Sequence, residues 1–326
     1  MDLKPTFTKD ILKINDIESN VNAICNNLKN DIQKVLRRKG GIIGISGGID
    51  SSVTLALAVR AIGADKIIGL MLPEKDSSPD SLELAKVLAD KFGIQYEVEN
   101  ISGALDGLNC YKRRDEAVKR VFPEYNPLGY KFKIGITPNP LNPNLPAIFN
   151  ATIIDSLGEQ TSKILPITEY LQIVAASNFK QRTRMSMLYY YAEKMHYSVI
   201  GTPNKHEVEQ GFFVKHGDGG ADVMPIAHLY KTQVYQIAQY LGVPQEIIDR
   251  TPTTDTYSAE QTQEEFFFQL PFHQMDLLWY AFENSYSAAE VGEVMGMTEK
   301  EVQGVFNGFA RKIKTTEYLR MSPIKY

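Results

Sequence analysis

Three stretches of this sequence carry residues suited to phosphate chemistry. In the first, Gly44-Ile45-Ser46-Gly47-Gly48-Ile49-Asp50-Ser51, small residues follow a short apolar run and open a helix with Val53, Leu55, Leu57, Ala58 and Val59 at its apolar positions. A strand, a glycine-rich turn and a helix start bind phosphate, because free N–H groups and the positive end of the helix dipole face the anion. Asp50 would repel that anion unless a divalent cation lay between them, so it is a candidate magnesium ligand. The G-x-x-x-x-G-K-[ST] pattern is excluded, since its lysine is missing here. The second stretch is Gly201-Thr202-Pro203-Asn204-Lys205-His206-Glu207, whose Glu207 is placed to share one ion with Asp50. The third, 211–222, holds four glycines, two aspartates and Lys215, which is poor packing material but allows a backbone to approach a ligand closely. Lys231 then stands at the start of a helix, against the dipole, a placement that a bound phosphate explains. Upstream, Asn178-Phe179-Lys180-Gln181-Arg182-Thr183-Arg184-Met185 offers two arginines that cannot share a helix face. One is expected to reach a ligand while the other makes a structural pair.

The elements that position these residues are legible from periodicity. Ile14, Ile17, Val21, Ile24, Leu28, Ile32 and Val35 predict an amphipathic helix over 11–38, stopped by Gly40. Apolar runs at 42–45, 66–72, 94–98 and 197–200 read as buried strands, and helical patterns separate them. The expected fold is therefore α/β, a doubly wound parallel sheet with ligands at the carboxyl ends of its strands. The turn at 72–78 would lie there too, leaving Met71 and Leu72 either to meet an adenine or to pack in the core.

Residues 101–168 break the rhythm. Pro123, Pro127, Pro138, Pro140, Pro143 and Pro146 suggest an irregular insertion over the active site or at an oligomer interface. Lys112-Arg113-Arg114 and Lys119-Arg120 read as a solvated helix face, and 169–197 as a long helix. The polar run 253–265 leads into Phe266-Phe267-Phe268, a lid followed by core or interface aromatics. Residues 286–314 resemble a helix-turn-helix, but Glu299 and Glu301 sit where DNA phosphate would be met, which favours structural packing. The expected organisation is one domain over 1–326, with the insertion at 101–168 and a helical C-terminal region at 271–326.

Composition narrows the class. Against 35 Lys and Arg stand 39 Asp and Glu, a formal charge of −4 that disfavours sequence-independent nucleic-acid binding. Two cysteines cannot build a disulfide framework or a cysteine zinc site, and a reducing cytoplasm is expected. Residues 1–10 lack an apolar signal core, and no run of 18 apolar residues suggests a membrane span. No serine–histidine or cysteine–histidine signature points to a side-chain nucleophile.

The Ser-Gly-Gly-x-Asp-Ser loop resembles that of enzymes that split ATP between its α and β phosphates. Taken with 178–185, 201–207, 211–222 and 229–234, in that order and nearly that spacing, the sequence resembles the ammonia-dependent NAD synthetases. That resemblance implies a homodimer that adenylates the nicotinate carboxylate of deamido-NAD and replaces AMP with ammonia. It implies ATP on Gly44 to Ser51, with magnesium on Asp50 and Glu207. It places Thr202, Lys231 and Thr253 at ATP, and Arg182, Lys215 and Asp222 at deamido-NAD, Arg182 across the dimer. Asp50, Lys231 and Lys215 would be catalytic. Arg311-Lys312 stands where the family carries a histidine–lysine pair, and Asp218 or Asp222 would take the proton from ammonia. The long insertion and the altered loop after Thr253 keep an amide ligase for another acid, or an inactive nucleotide-binding protein, as alternatives. Because the synthetase helix comes so early, ammonia is expected free or from a separate partner.

Overall fold

The computed structural model describes residues 4–137, 148–254 and 256–326. Four short strands, β1 (Gly41–Gly44), β2 (Ile67–Met71), β3 (Gln95–Val98) and β7 (Ser198–Ile200), pair in parallel in the order β3-β2-β1-β7. Alternation along them divides the core. Ile43, Ile45 and Ile200 face helices α1 (Ile17–Asn30), α2 (Ile49–Ile62), α3 (Pro79–Phe92) and α8 (Lys231–Leu241). Ile42, Leu70 and Val199 face the other side, against α4 (Ser102–Gly107), α5 (Cys110–Val121) and α6 (Ile167–Met195). The sheet is doubly wound, as expected, because both faces of each strand are apolar. Chain order reverses between β2 and β7 on either side of β1, so the loops after β1 and β7 open together into a crevice.

Two boundaries differ from expectation. The first helix begins at Ile17, because the Asp16 carboxylate accepts the Ser19 N–H at 2.9 Å and caps it there. It runs on into a π-helical turn over Asp31–Val35, and Arg37, whose φ is +55°, ends the helical path before Gly40 is reached. The expectation of an irregular stretch at 101–168 is corrected more thoroughly. It holds α4, α5 and an antiparallel sheet of β4 (Lys131–Thr137), β5 (Ile148–Ile154) and β6 (Gln160–Ile164). Phe132, Ile134, Ala151 and Ile153 alternate onto one face and bury against α5, α6 and Tyr257. Pro123 and Pro127 fall in the turns between α5 and β4; Pro138, Pro140, Pro143 and Pro146 lie outside the described residues, as does Asp255 of the polar run.

The C-terminal region is helical: α10 (Phe272–Glu283), α11 (Ala288–Met295) and α12 (Glu299–Arg320). Val291, Val302, Phe306 and Phe309 are buried in one aromatic core with Trp279, so the helix-turn-helix pattern is packing, as read. Glu301 is committed to the capping box of Thr298.

A buried charge network joins the insertion to the parallel sheet. The expectation of a solvated face at 112–114 fails at Arg114, which is 4% exposed and pairs with Asp76 and Asp115. Lys180 of α6, only 1% exposed, donates to Glu74 Oε1 at 3.0 Å, Asp76 Oδ2 at 2.6 Å and the Thr256 carbonyl at 2.8 Å. Burial alone would raise the Asp76 carboxyl, but the Lys180 and Arg114 charges outweigh it and hold it below its usual value. Removing one partner of such a pair leaves a charge buried without compensation. Lys180→Ala is therefore expected to cost about 3–5 kcal/mol of stability in thermal or urea unfolding. Lys112→Ala, on the exposed face of α5, should change it by less than about 0.5 kcal/mol.

Candidate active site

The β1–α2 turn is built for small residues. Gly47 has φ +71°, and a Cβ there would lie 2.6 Å from the Ser81 carbonyl oxygen. Ser51 and Ser52 both donate to the Gly48 carbonyl, at 2.9 and 2.8 Å, which draws the loop tightly onto the start of α2. Asp50 occupies the second position of α2, where the first-turn N–H groups have no partner within the helix.

Glu207 arrives from the far side of the sheet. It lies on α7 (Lys205–Gln210), whose first residues form a capping box: Glu207 N–H donates to Asn204 Oδ1 at 3.2 Å, and Asn204 N–H donates to Glu207 Oε2 at 2.9 Å. The Asn204 amide also donates to Asp50 Oδ1 at 3.3 Å. One buried asparagine thus holds two carboxylates from distant segments at one point. Lys231, fully buried at the start of α8, pairs with Asp50 Oδ2. Behind them Asp276 of α10 ties both helix starts together, with Oδ1 2.5 Å from His206 Nε2 and Oδ2 accepting the Thr232 N–H at 2.7 Å.

The electrostatics follow from this crowding. Burial, and then the Asp50 charge, push the Glu207 carboxyl up to about 8, although Lys231 opposes them. For Lys231 burial works against the charge, but Asp50 and Glu207 outweigh it, so the ammonium is held above its ordinary value. Asp218 is pushed up to about 6 by burial, against the stabilising N–H of Val214 at 2.9 Å. Burial brings Lys312 down to about 8; its ammonium donates to the Phe267 carbonyl at 2.9 Å and sits 4.2 Å from that ring.

The donor set suits magnesium. Two joined carboxylates beside a phosphate-binding loop are the sparse protein ligands this ion takes when substrate phosphates complete its shell. Glu207 strengthens the fit, since its charge is unfavourable until a cation arrives. Among the described residues no group of three His, Cys, Asp or Glu side chains forms a metal cage, so water and substrate phosphate oxygens would complete the shell of an ion held there.

A cavity of about 820 Å³ opens over these groups. Gly44, Ile45, Ser46, Gly48, Ile49, Asp50, Ser51, Thr202, Glu207, Asp218, Thr253, Arg311 and Lys312 line it, and Met71 and Leu72 are both buried and on its wall. Lys231 stands behind Asp50 instead of on the wall. Of the two arginines, Arg184 lines the cavity and donates to the Leu72 carbonyl at 3.3 Å, while Arg182 donates to the Lys215 carbonyl at the surface. Lys215 and Asp222 point elsewhere in this chain. The Lys215 ammonium donates to the Tyr318 and Met321 carbonyls, both at 2.8 Å, and Asp222 accepts from Tyr189 and the Val199 N–H. Phe268 is buried in the core, and Phe266 and Phe267 pack against core clusters on one side and line the cavity on the other, which adds a cavity-facing role to the expected packing.

Sequence reasoning missed Asn204, Lys180 and the aromatic wall of Phe149 and Tyr170. Asn204 was detectable, since Asn followed three residues later by Glu signals a helix N-terminus. Lys180 lies four residues before Arg184, on the same helix face, but its acidic partners are remote in sequence.

The NAD synthase family model matches residues 20–120 and 149–323. The NH(3)-dependent NAD(+) synthetase of Rhizobium meliloti (strain 1021) is 47% identical over 317 residues, spanning 97% of this chain and 94% of the relative. Solved structures share the fold. An NH3-dependent NAD synthetase from Campylobacter jejuni superposes with TM-score 0.62 at 20% identity, over 96% of this chain and 100% of its own. An NMN synthetase from Francisella tularensis gives 0.63 at 22%, over 95% and 98%. Loop, carboxylate pair and sequence match agree, and the chain belongs to the NAD synthase family.

Proposed function

We propose that this cavity binds ATP beside deamido-NAD and converts the latter to NAD by ATP-dependent amidation with ammonia. The observation that carries the reading is the Asp50–Asn204–Glu207 cluster at the phosphate-binding loop, within a chain that matches the family on both sides of its insertion. A carboxylate resists amines because its leaving group would be oxide. In the first step a nicotinate carboxylate oxygen attacks the α-phosphorus of ATP, the bond to the β-phosphate oxygen breaks, and pyrophosphate leaves with the electron pair. Ammonia then attacks the acyl carbon, AMP leaves, and one proton passes to a base.

The residues divide this work. The turn from Gly44 to Ser51 and the first N–H groups of α2 cradle the phosphates. Asp50 and Glu207 would hold magnesium, which supplies charge screening between the attacking carboxylate and ATP. Lys231 fixes the Asp50 carboxylate and contributes positive charge from behind it. Thr202 and Thr253 are read as ATP contacts, and Arg311 and Lys312 as dinucleotide contacts, on their place in the wall. Arg182, Lys215 and Asp222 lie off the wall; Arg182 is read as reaching deamido-NAD across a homodimer, and Lys215 and Asp222 are read as deamido-NAD contacts on the family resemblance alone. Exposed Ile164, Ile167 and Leu171 are apolar surface that such a dimer could cover. Asp218 is the proton acceptor in this reading: it lines the cavity, and its pKa of about 6 keeps it ionised at neutral pH yet more basic than an ordinary carboxylate. Cys25 and Cys110 are buried and unpaired, in keeping with a reducing cytoplasm. Among the described residues no helix is long and apolar enough to cross a membrane.

Asp50→Asn and Glu207→Gln should each lower pyrophosphate release by about a hundredfold or more, with circular dichroism unchanged; normal turnover in either would remove the carboxylate pair from the mechanism. Asp218→Asn should separate the two steps, leaving a pyrophosphate burst but slow NAD formation. It should also stabilise the fold above pH 6. A carboxyl raised in the folded state costs stability as pH climbs from its unfolded value of about 4 to its folded value, and the cost persists above that. Unfolding midpoints of the two proteins should therefore coincide below about pH 4 and diverge at pH 8. The decisive assay follows pyrophosphate and NAD by mass from ATP, magnesium and ammonium, with and without deamido-NAD. NAD formed only with deamido-NAD supports the reading, and pyrophosphate release without NAD overturns it.

A further inference from the structure

His206 stands one residue before Glu207 on α7, but its side chain lies in the aromatic C-terminal core. The ring is fully buried, with the rings of Tyr230, Phe268 and Trp279 at centroid distances of 5.9, 6.0 and 5.8 Å. An apolar side chain would fill such a cage without desolvating a polar group, so packing alone does not call for an imidazole there. Both ring nitrogens are instead committed: Gln210 Nε2 lies 3.1 Å from Nδ1, and Asp276 Oδ1 lies 2.5 Å from Nε2.

Donors and acceptors along this chain of bonds are assigned from its cavity end. The Lys312 ammonium donates to Gln210 Oε1 at 3.4 Å, so the Gln210 amide presents its NH2 group to the ring. Nδ1 therefore accepts, and Nε2 carries the hydrogen that Asp276 accepts. The other Asp276 oxygen, Oδ2, accepts the Thr232 N–H at 2.7 Å, a first-turn group of α8 with no carbonyl partner inside its helix. A carboxylate is favoured at a helix start, where the ammonium of the preceding residue, Lys231, is not. Lys231 in turn pairs with Asp50. One buried chain of hydrogen bonds thus reaches both Glu207 and Lys231 through the residues beside them.

We propose that His206 is a positioning residue for the reaction: through Asp276 it sets where Glu207 and Lys231 stand relative to Asp50, and so how well that cluster receives a nucleotide with its magnesium. The proposal rests on the ATP-dependent amidation argued above. It explains why a polar pair is buried among aromatic rings, since only a directional bond from α7 to α10 and on to α8 fixes the spacing of the two helix starts. Groups that orient a metal ligand from behind typically change metal affinity or activity by about 10–100-fold when removed.

Two measurements on the full chain test this: calorimetric binding of α,β-methylene-ATP in magnesium, which requires no turnover, and steady-state kinetics with ATP and deamido-NAD. His206→Leu should weaken binding of the analogue by about tenfold or more and raise KM for ATP with it, leaving KM for deamido-NAD unchanged. His206→Gln, whose amide N–H can replace that of Nε2 toward Asp276, should restore binding. Asp276→Asn sets an NH2 group against either the ring N–H or the Thr232 N–H. It should weaken the analogue in the same way, and it serves as the second variant should His206→Leu fold poorly. A lower unfolding midpoint with unchanged analogue binding overturns the proposal while the amidation reading stands, and so does loss of the fold in both variants, since the pair is then structural alone. A parallel weakening of analogue and deamido-NAD overturns it too, because that reports general damage to the site. A wild type that forms no NAD from deamido-NAD overturns the amidation reading and the proposal with it.

Discussion

Two carboxylates with little access to water cannot stand side by side without compensation, and the site is arranged around that constraint. Asp50 and Glu207 are drawn together by Asn204, and burial, then the Asp50 charge, raises the Glu207 pKa. Lys231 offsets part of the repulsion, at the cost of burying an ammonium at a helix start where the dipole opposes it. With Asp50 paired to Lys231, Glu207 is the carboxyl left without a cation, and it lies on the cavity wall beside the phosphate-binding loop.

That cluster depends on order in the helices behind it. Asp276 bonds both His206 and the Thr232 N–H, so α7 and α8, which carry Glu207 and Lys231, share one anchor in the aromatic C-terminal core. The C-terminal helices lie outside the sheet, yet they set the register of two charged groups at its edge.

The insertion plays the matching part on the opposite side. Lys180 joins Glu74 and Asp76 in the turn after β2 to the Thr256 carbonyl, in the segment after Thr253. The same segment is tied to β4, through Ala259 N–H to the Phe132 carbonyl at 3.0 Å and Phe132 N–H to Ser258 Oγ at 2.9 Å. The insertion and the segment after Thr253 are therefore one structural unit, and they line the cavity together.

The parallel sheet and the phosphate loop were legible because their signals are local. A buried strand is a run of apolar residues, and a phosphate turn is a few small residues before a helix, both readable within ten positions. The insertion's strands were hidden, although Phe132, Ile134 and Ile136 do alternate, because prolines nearby outweighed so short a pattern. Helical phase showed that Arg182 and Arg184 must diverge, but the direction of the cavity depends on how α6 lies across the sheet. The sequence by itself determined the fold class, the loop and the pair of carboxylates as candidates. Only the tertiary structure decided that Asn204 joins those carboxylates, that Lys180 and Arg114 are buried, and that Lys215 and Asp222 turn away from the cavity. The reason is that charge compensation and burial depend on partners remote in sequence, and one chain segment carries no record of which distant segment will lie against it.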